Sequence, residues 1–214
     1  MDNPYAHVPV PYARHVHWDR LFEDLEGQLA AEWESERAAL DAEAERLRIA
    51  GLELRGRLRA FAASDGIVRI GIRGGLQVTG RVDRIGADWL AVDDRSVSII
   101  PLAAVLSLQT DHGALLRSLT DHADEPDAAA GLRERMTFGF VLRDLARRRV
   151  PVRVDASGGE PLYGTIDRAG ADHLDLAEHE PGTVRRAAHV RVFRLLPFHA
   201  VSRVSVSTDG PRLR

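Results

Sequence analysis

The stretch TGRVDRIGADWLAV at residues 79–92 is written a second time, with changes, as YGTIDRAGADHLDL at residues 163–176. Gly164 follows Gly80 by 84 residues, and Asp167 follows Asp83 and Gly170 follows Gly86 by the same step. The match runs without a gap over residues 68–92 against 152–176 and holds eleven identities in twenty-five positions. Two copies are too few for a solenoid or a propeller, so each copy must supply its own core. A chain of 214 residues has room for two such units and little else.

Within the first copy the hydrophobic period is two, which predicts strands over Val68–Ile72, Gln77–Ile85, Trp89–Asp93, Val97–Ile100 and Val105–Leu108. Gly74-Gly75 suits a hairpin turn. Gly80 and Gly164 fall inside the longest strand of each copy, where a glycine marks a bend or bulge. The pattern resumes as IPLAAVLSL against LPFHAVSRV, where Pro197 follows Pro101 by 96 residues. The second copy therefore holds twelve extra residues between its third and fourth strands. Asp83 and Asp167 are predicted to point outward toward arginine. Asp88 and Asp172 are predicted to cap the turns that Gly86 and Gly170 open. Every shared residue thus has a structural task, and the differences between copies are the better place to look for function.

Ahead of the first copy, apolar residues recur at Trp18, Phe22, Leu25, Leu29, Trp33, Leu40, Ala44, Leu47, Leu54, Leu58 and Phe61. Gaps of three, four or seven predict an amphipathic helix over 18–63. Acidic residues open it and arginines close it, as the helix dipole favours. So long a rod must pair with another helix, fold back at Gly51 or Gly56, or project. A packing helix and a dimerising coiled coil are equally consistent with a heptad seam interrupted at Glu36 and Gly51. Residues 1–17, with Pro4, Pro9 and Pro11, read as an extended arm. Residues 64–108 form the first strand unit, and 109–131 a linker in which HGALLRSL suits a short helix. A further helix, roughly Leu132–Arg148, and the second unit with its hairpin insertion fill 132–206, leaving a flexible tail at 207–214.

Helix followed by five short strands, with glycine inside the second strand and a tight turn into the fifth, resembles the Sm-like barrels. That family includes the Sm and LSm proteins, the RNA chaperone Hfq and the C-terminal domain of the ribosome-maturation factor RimP. The first copy is closest in style to the last of these, while another small SH3-like barrel, such as the PRC type, produces much the same pattern. The resemblance implies an α+β fold: a long N-terminal helix, then two small five-stranded Sm-like or SH3-like barrels, each preceded by a helix. In RNA-binding members the base pocket takes polar residues from two loops. Here the first loop offers Asp88-Trp89 or Asp172-His173, with leucine where asparagine is expected, and the second is PLAA or PFHA.

Net charge is −3, all 29 basic residues are arginine and cysteine is absent. No chain-wide basic field draws in DNA or anionic lipid, and thiolate or Cys-based zinc chemistry is excluded. No secretory leader or membrane-length apolar run is seen, which reads as a cytoplasmic protein with no membrane partner. Arginine gathers in RDLARRRVPVR (143–153) and RRAAHVRVFR (185–194), making Arg147, Arg148, Arg149, Arg153, Arg185, Arg186 and Arg191 candidate RNA or phosphate contacts, with Phe193 or His189 stacking. The plainer alternative is a helix C-terminus and a solvated hairpin. Trp18, Phe22, Trp33, Trp89, His173, Phe198 and His199 are candidate interface residues. Trp89 is expected to be at least partly exposed, because it alternates with Leu90 and Val92.

Three sharper motifs fail on spacing or context. Thr-Asp-His recurs at 110–112 and 120–122, ten residues apart, too far for one helix face to hold a metal and better suited to capping. His15-x-His17 lies in the arm. GIRGG leads into a strand and not a helix, so it is no dinucleotide loop. With no nucleophile elbow, paired carboxylates or cofactor motif, no enzyme and no cofactor are expected. The leading expectation is a non-catalytic interaction module with a protein partner or self-association. The alternative is an RNA-binding protein, with ribosome association as one form of it, that uses the arginines of the second copy.

Overall fold

The computed structural model describes residues 18–64, 66–94, 96–120, 131, 134–183 and 185–207. The expected N-terminal arm, the acidic part of the linker and the tail beyond 207 lie outside these residues. The chain forms two compact units, Met1–Gly51 and Leu52–Arg214.

The described part of the first unit is one 33-residue helix, α1 (Trp18–Ala50). It stops where Gly51 turns its N–H back to the carbonyls of Leu47 and Arg48, at 3.1 and 3.2 Å. Arg46 meets Glu43 and Arg48 meets Glu45 one turn apart on its surface, at 3.2 and 2.7 Å. The hydrogen bonds from Glu45 hold the Arg48 guanidinium even further above its already high ionisation range. The helix expected over 18–63 is thus two helices, divided at one of the two glycines where a break was allowed for.

The second unit opens with α2 (Leu54–Ala63) and runs through β1 (Ile67–Ile72), β2 (Leu76–Ile85), β3 (Trp89–Asp94), β4 (Ser96–Pro101) and β5 (Val105–Gln109). After α3 (His112–Thr120) come α4 (Phe138–Arg148), β6 (Pro151–Ala156), β7 (Leu162–Ala169), β8 (His173–Glu178), β9 (Val192–Pro197) and β10 (Val201–Ser207). The ten strands make a single open antiparallel sheet in the order β5-β1-β2-β3-β4-β10-β6-β7-β8-β9.

This order corrects the expectation of two separate Sm-like or SH3-like barrels, each of five strands. The two halves do share an internal order, β5-β1-β2-β3-β4 matching β10-β6-β7-β8-β9, but neither closes. A five-strand run leaves an unpaired backbone row on its fourth and fifth strands. Here β4 of one copy satisfies β10 of the other, Val204 opposite Ile99 and Val206 opposite Val97. The result is one sheet whose free edges are β5 and β9.

Duplication extends to single hydrogen bonds. Gly86 N–H donates to the Trp89 carbonyl and Gly170 N–H to that of His173, both at 2.8 Å. Leu102 N–H reaches the Asp88 carbonyl at 2.9 Å, and Phe198 N–H that of Asp172 at 2.7 Å. Strand β2 bulges between Val82 and Arg84, and β7 between Ile166 and Arg168. The 84-residue step also carries the helices: Leu58 and Phe61 of α2 fill the first core where Leu142 and Leu145 of α4 fill the second. Helix α4 begins cleanly because the Thr137 hydroxyl accepts from Phe140 N–H, and it ends in a left-handed Arg149 at φ 53°.

Gly80 and Gly164 are required by contact. A Cβ on Gly80 would run into the Asp93 carbonyl across the sheet, and one on Gly164 into that of Ala177. Gly159, beside a turn, has open space around it. Alanine at Gly80 or Gly164 is therefore expected to destabilise the fold by about 1–3 kcal/mol. Gly159→Ala should stay within about 0.5 kcal/mol. Urea midpoints at constant m-value check the comparison.

Candidate interaction surface

The two copies differ most at the place where one of them has a neighbour. In the first copy, the turn at residues 86–89 grips the segment entering α4. Ala87 N–H and the Trp89 indole N–H both donate to the Met136 carbonyl, at 2.9 and 2.8 Å. Asp88 does not cap its own turn as expected. Its carboxylate accepts from Phe138 N–H at 2.6 Å, on the first residue of α4. From α2, Arg55 donates to the carbonyls of Gly86 and Glu134 at 2.9 and 2.6 Å, and Arg59 pairs with the Glu134 carboxylate. Arg73 reaches across to the His199 carbonyl at 2.5 Å.

Trp89 is accordingly buried, 7% exposed, which overturns the alternation argument. Strand β3 is covered on both faces: Leu90 and Val92 face the first core, while Trp89 and Ala91 join the second. Its counterpart His173 is the last of the row. The ring lies over Gly170 as the indole lies over Gly86, but it is part exposed and donates through Nδ1 to Asp172 at 2.8 Å. That hydrogen bond holds the Asp172 carboxyl below the usual carboxylate range.

Strand β9 repeats the contrast. Ile99 on β4 is 2% exposed because the second copy covers it, whereas the equivalent Leu195 on β9 is 63% exposed and Phe193, equivalent to Val97, is 64% exposed. Phe198 is partly buried, edge-on to Phe138 at 5.5 Å, and His199 beside it is exposed. Trp89 and His199 thus stand at the joint between copies, while Phe198 packs within the second copy and His173 stands at the open end.

The arginine clusters are largely consumed by carboxylates. Arg147 and Arg148 meet Asp144 one turn back, at 2.5 and 2.8 Å, and their hydrogen bonds hold its carboxyl low. Arg185 forks onto Asp167 at 2.7 and 2.5 Å, which raises its own ionisation range further. Arg191 pairs with Glu180 and Arg194 with Glu178. Of these pairs, Arg185 fastens the twelve-residue insertion to β7, Arg191 closes the insertion on itself, and Arg194 joins β9 to β8. Arg153 pairs with Asp155 at 3.0 Å and lies 5.9 Å over the Tyr163 ring. Arg149 forms the left-handed cap of α4, and Arg186 is exposed on the insertion. Behind the insertion, His179 is buried: Nδ1 donates to the Glu180 carbonyl at 3.1 Å, leaving Nε2 to accept from Thr165 at 2.9 Å.

Residues absent from the expected set include Asp155 and Arg203, a buried ion pair at 2.7 Å. Their counterparts in the first copy are Gly71 and Ser107, which the sheet also places opposite each other. Aligning the copies would have exposed this paired change. Asp111 does cap α3, accepting from Ala114 N–H at 2.9 Å, which lowers its carboxyl. Among the described residues, no three His, Asp or Glu side chains gather as a metal site would require, and no helix is long and apolar enough to cross a membrane.

Helix α1 carries the other surface. Trp18 is its first residue, and Phe22, Leu25, Leu29, Trp33, Leu40 and Leu47 are all exposed, Trp33 to 72%. Phe22 to Trp33, Leu29 to Leu40 and Trp33 to Ala44 are each eleven residues apart. The apparent interruption at Glu36 therefore belongs to an 11-residue stripe, which runs almost straight along a helix.

The chain is an α+β protein whose sheet unit is one motif used twice. No protein-family model, curated protein or solved structure matches it.

Trp89→Ala is expected to cost about 3–5 kcal/mol, whereas His173→Ala should stay within about 1 kcal/mol. Thermal melts of the two variants check this. Asp144 supplies a pH test. Its carboxyl ionises below the unfolded value near 3.9, so its contribution is fully present above that pH and is lost on acidification. Asp144→Asn should lower stability at neutral pH by under about 1 kcal/mol. The difference from the parent should vanish in strong acid, as urea titrations at several pH values will read.

Proposed function

We propose that the chain is a non-catalytic interaction module, with α1 as its partner-binding element and the double-copy sheet as its scaffold. The observation that carries this reading is the row of large apolar side chains left in solvent along α1. Monomeric soluble proteins rarely expose so long a continuous apolar band without a partner. The helix bears ten acidic and four arginine residues. A matching partner is therefore a helix with its own apolar stripe and basic flanks, the helix-in-groove mode of recognition. The reading draws nothing from the Sm-like resemblance.

RNA binding is the lesser reading, since most of the arginines that motivated it are held by carboxylates. A tagged pull-down from native lysate, with and without RNase, separates the two. The expected result is a protein partner retained after RNase and reduced at least tenfold by Leu29→Gln, Trp33→Gln and Leu40→Gln together. Capture of RNA that falls steeply with salt, is unaffected by those changes and is lost on replacing Arg149 and Arg186 would overturn it.

A further inference from the structure

The joint between the copies has two halves, and each half occurs twice in the chain. One half is the β4 edge with the Asp88-Trp89 turn and the Trp89–Ala91 face of β3. Its repeat, at the far end of the sheet, is the β9 edge with Asp172-His173. The other half is β10 with the N-terminus of α4. Its repeat is β5 with the N-terminus of α2. One pair of halves is joined within the chain, and the remaining pair stands at opposite ends of the sheet.

The open halves keep the marks of a joint. Val192, Phe193 and Leu195 stay large, apolar and exposed on β9, around a single charge, Arg194, that is already paired with Glu178 on the neighbouring strand. Leu106 on β5 is exposed, although its counterpart Ser202 on β10 is fully buried. Leu54, half exposed at the start of α2, corresponds to Phe138, which is 2% exposed against the second core. Helix α2 also lacks a side-chain cap from Glu53, whereas α4 takes both Thr137 and the Asp88 carboxylate. Asp172, the counterpart of Asp88, is 89% exposed at the other end of the sheet.

We propose that a second copy of this chain occupies the β9 end, presenting its β5 edge and the start of its α2, so that the internal joint is repeated between molecules. The internal register, carried over, places Leu108 of one molecule opposite Leu195 of the next and Gln109 opposite Arg194. Asp172 then caps the neighbour's α2 at Leu54 N–H. The surfaces that meet are different, so the contact is head-to-tail and each added molecule leaves the same two ends free. Such association runs on until a ring closes or a filament grows.

The test uses the full chain carrying Leu29→Gln, Trp33→Gln and Leu40→Gln, so that α1 does not contribute. Sedimentation velocity across a wide concentration range should show species heavier than the 23.6 kDa monomer. Phe193→Lys with Leu195→Lys blocks one end, and Leu54→Lys with Leu106→Lys blocks the other. Each variant alone should be monomeric with an unchanged circular dichroism spectrum, and a mixture of the two should form a 1:1 dimer that grows no further. If the β9 double variant fails to fold, Asp172→Ala replaces it, and if the β5 double variant does, Leu106→Lys alone replaces it; each should weaken association at least fivefold. A parent that stays monomeric, assembly indifferent to both ends, or variants that do not complement each other would each overturn the proposal.

Discussion

Four backbone pairs, from Val204 opposite Ile99 to Ser207 opposite Ser96, decide what kind of molecule this is. Without them the duplicated motif would be two open half-sheets, each with a raw edge. With them β3 and β4 lie in the middle of a ten-stranded sheet and are covered on both faces. The side chains on the outer face of the first copy, Trp89, Ala91 and Ile99, then become part of the second core. The grip of residues 86–89 on the start of α4 follows from the same contact. It fixes the second helix relative to the first sheet, so the two halves fold as one body.

That joint also accounts for how the copies diverged. Tryptophan suits position 89 because Met136 and α4 close over it. Histidine suits 173, where the same spot meets water and a neighbouring carboxylate. The insertion of the second copy is tied to β7 by Arg185 on Asp167 and closed on itself by Arg191 on Glu180, while Glu178 on β8 draws Arg194 across from β9. An arginine-rich stretch that looks cationic in the sequence is, in the fold, a set of local staples.

Much of the local structure was legible because it is set by neighbours in the chain. Strand boundaries fell within a residue or two, Gly80 and Gly164 marked the bends, Gly51 marked one of two allowed breaks, and Asp111 marked a cap. The errors came from long-range pairing. Alternation correctly assigns Leu90 and Val92 to one face of β3, but it says nothing of a second layer on the other face, so Trp89 was misplaced. The partner of the β4 edge lies about a hundred residues away and leaves no periodic trace, which is why two barrels were expected where one sheet formed. Asp88 was read as serving its own turn because the helix it caps is equally remote. At α1, the eleven-residue spacing is present in the sequence but does not fit a seven-residue seam, which is why the seam reads as interrupted at Glu36.

A chain that carries one motif twice can also pair the wrong strands, since β1 and β6, and likewise β5 and β10, are near-equivalents competing for each other's partners. The exchanged residues Gly71 with Ser107 and Asp155 with Arg203 guard against this. Were β6 to take β5 in place of β10, Asp155 would be buried opposite a serine and keep Arg153 alone of its two arginine partners. Were β1 to take β10, Arg203 would face a glycine and no carboxylate. The first error takes one of two ion pairs from a buried carboxylate and the second leaves Arg203 without its carboxylate, while the correct pairing satisfies both. The ion pair thus acts as an address label, telling each strand which copy it belongs to while the chain is still choosing.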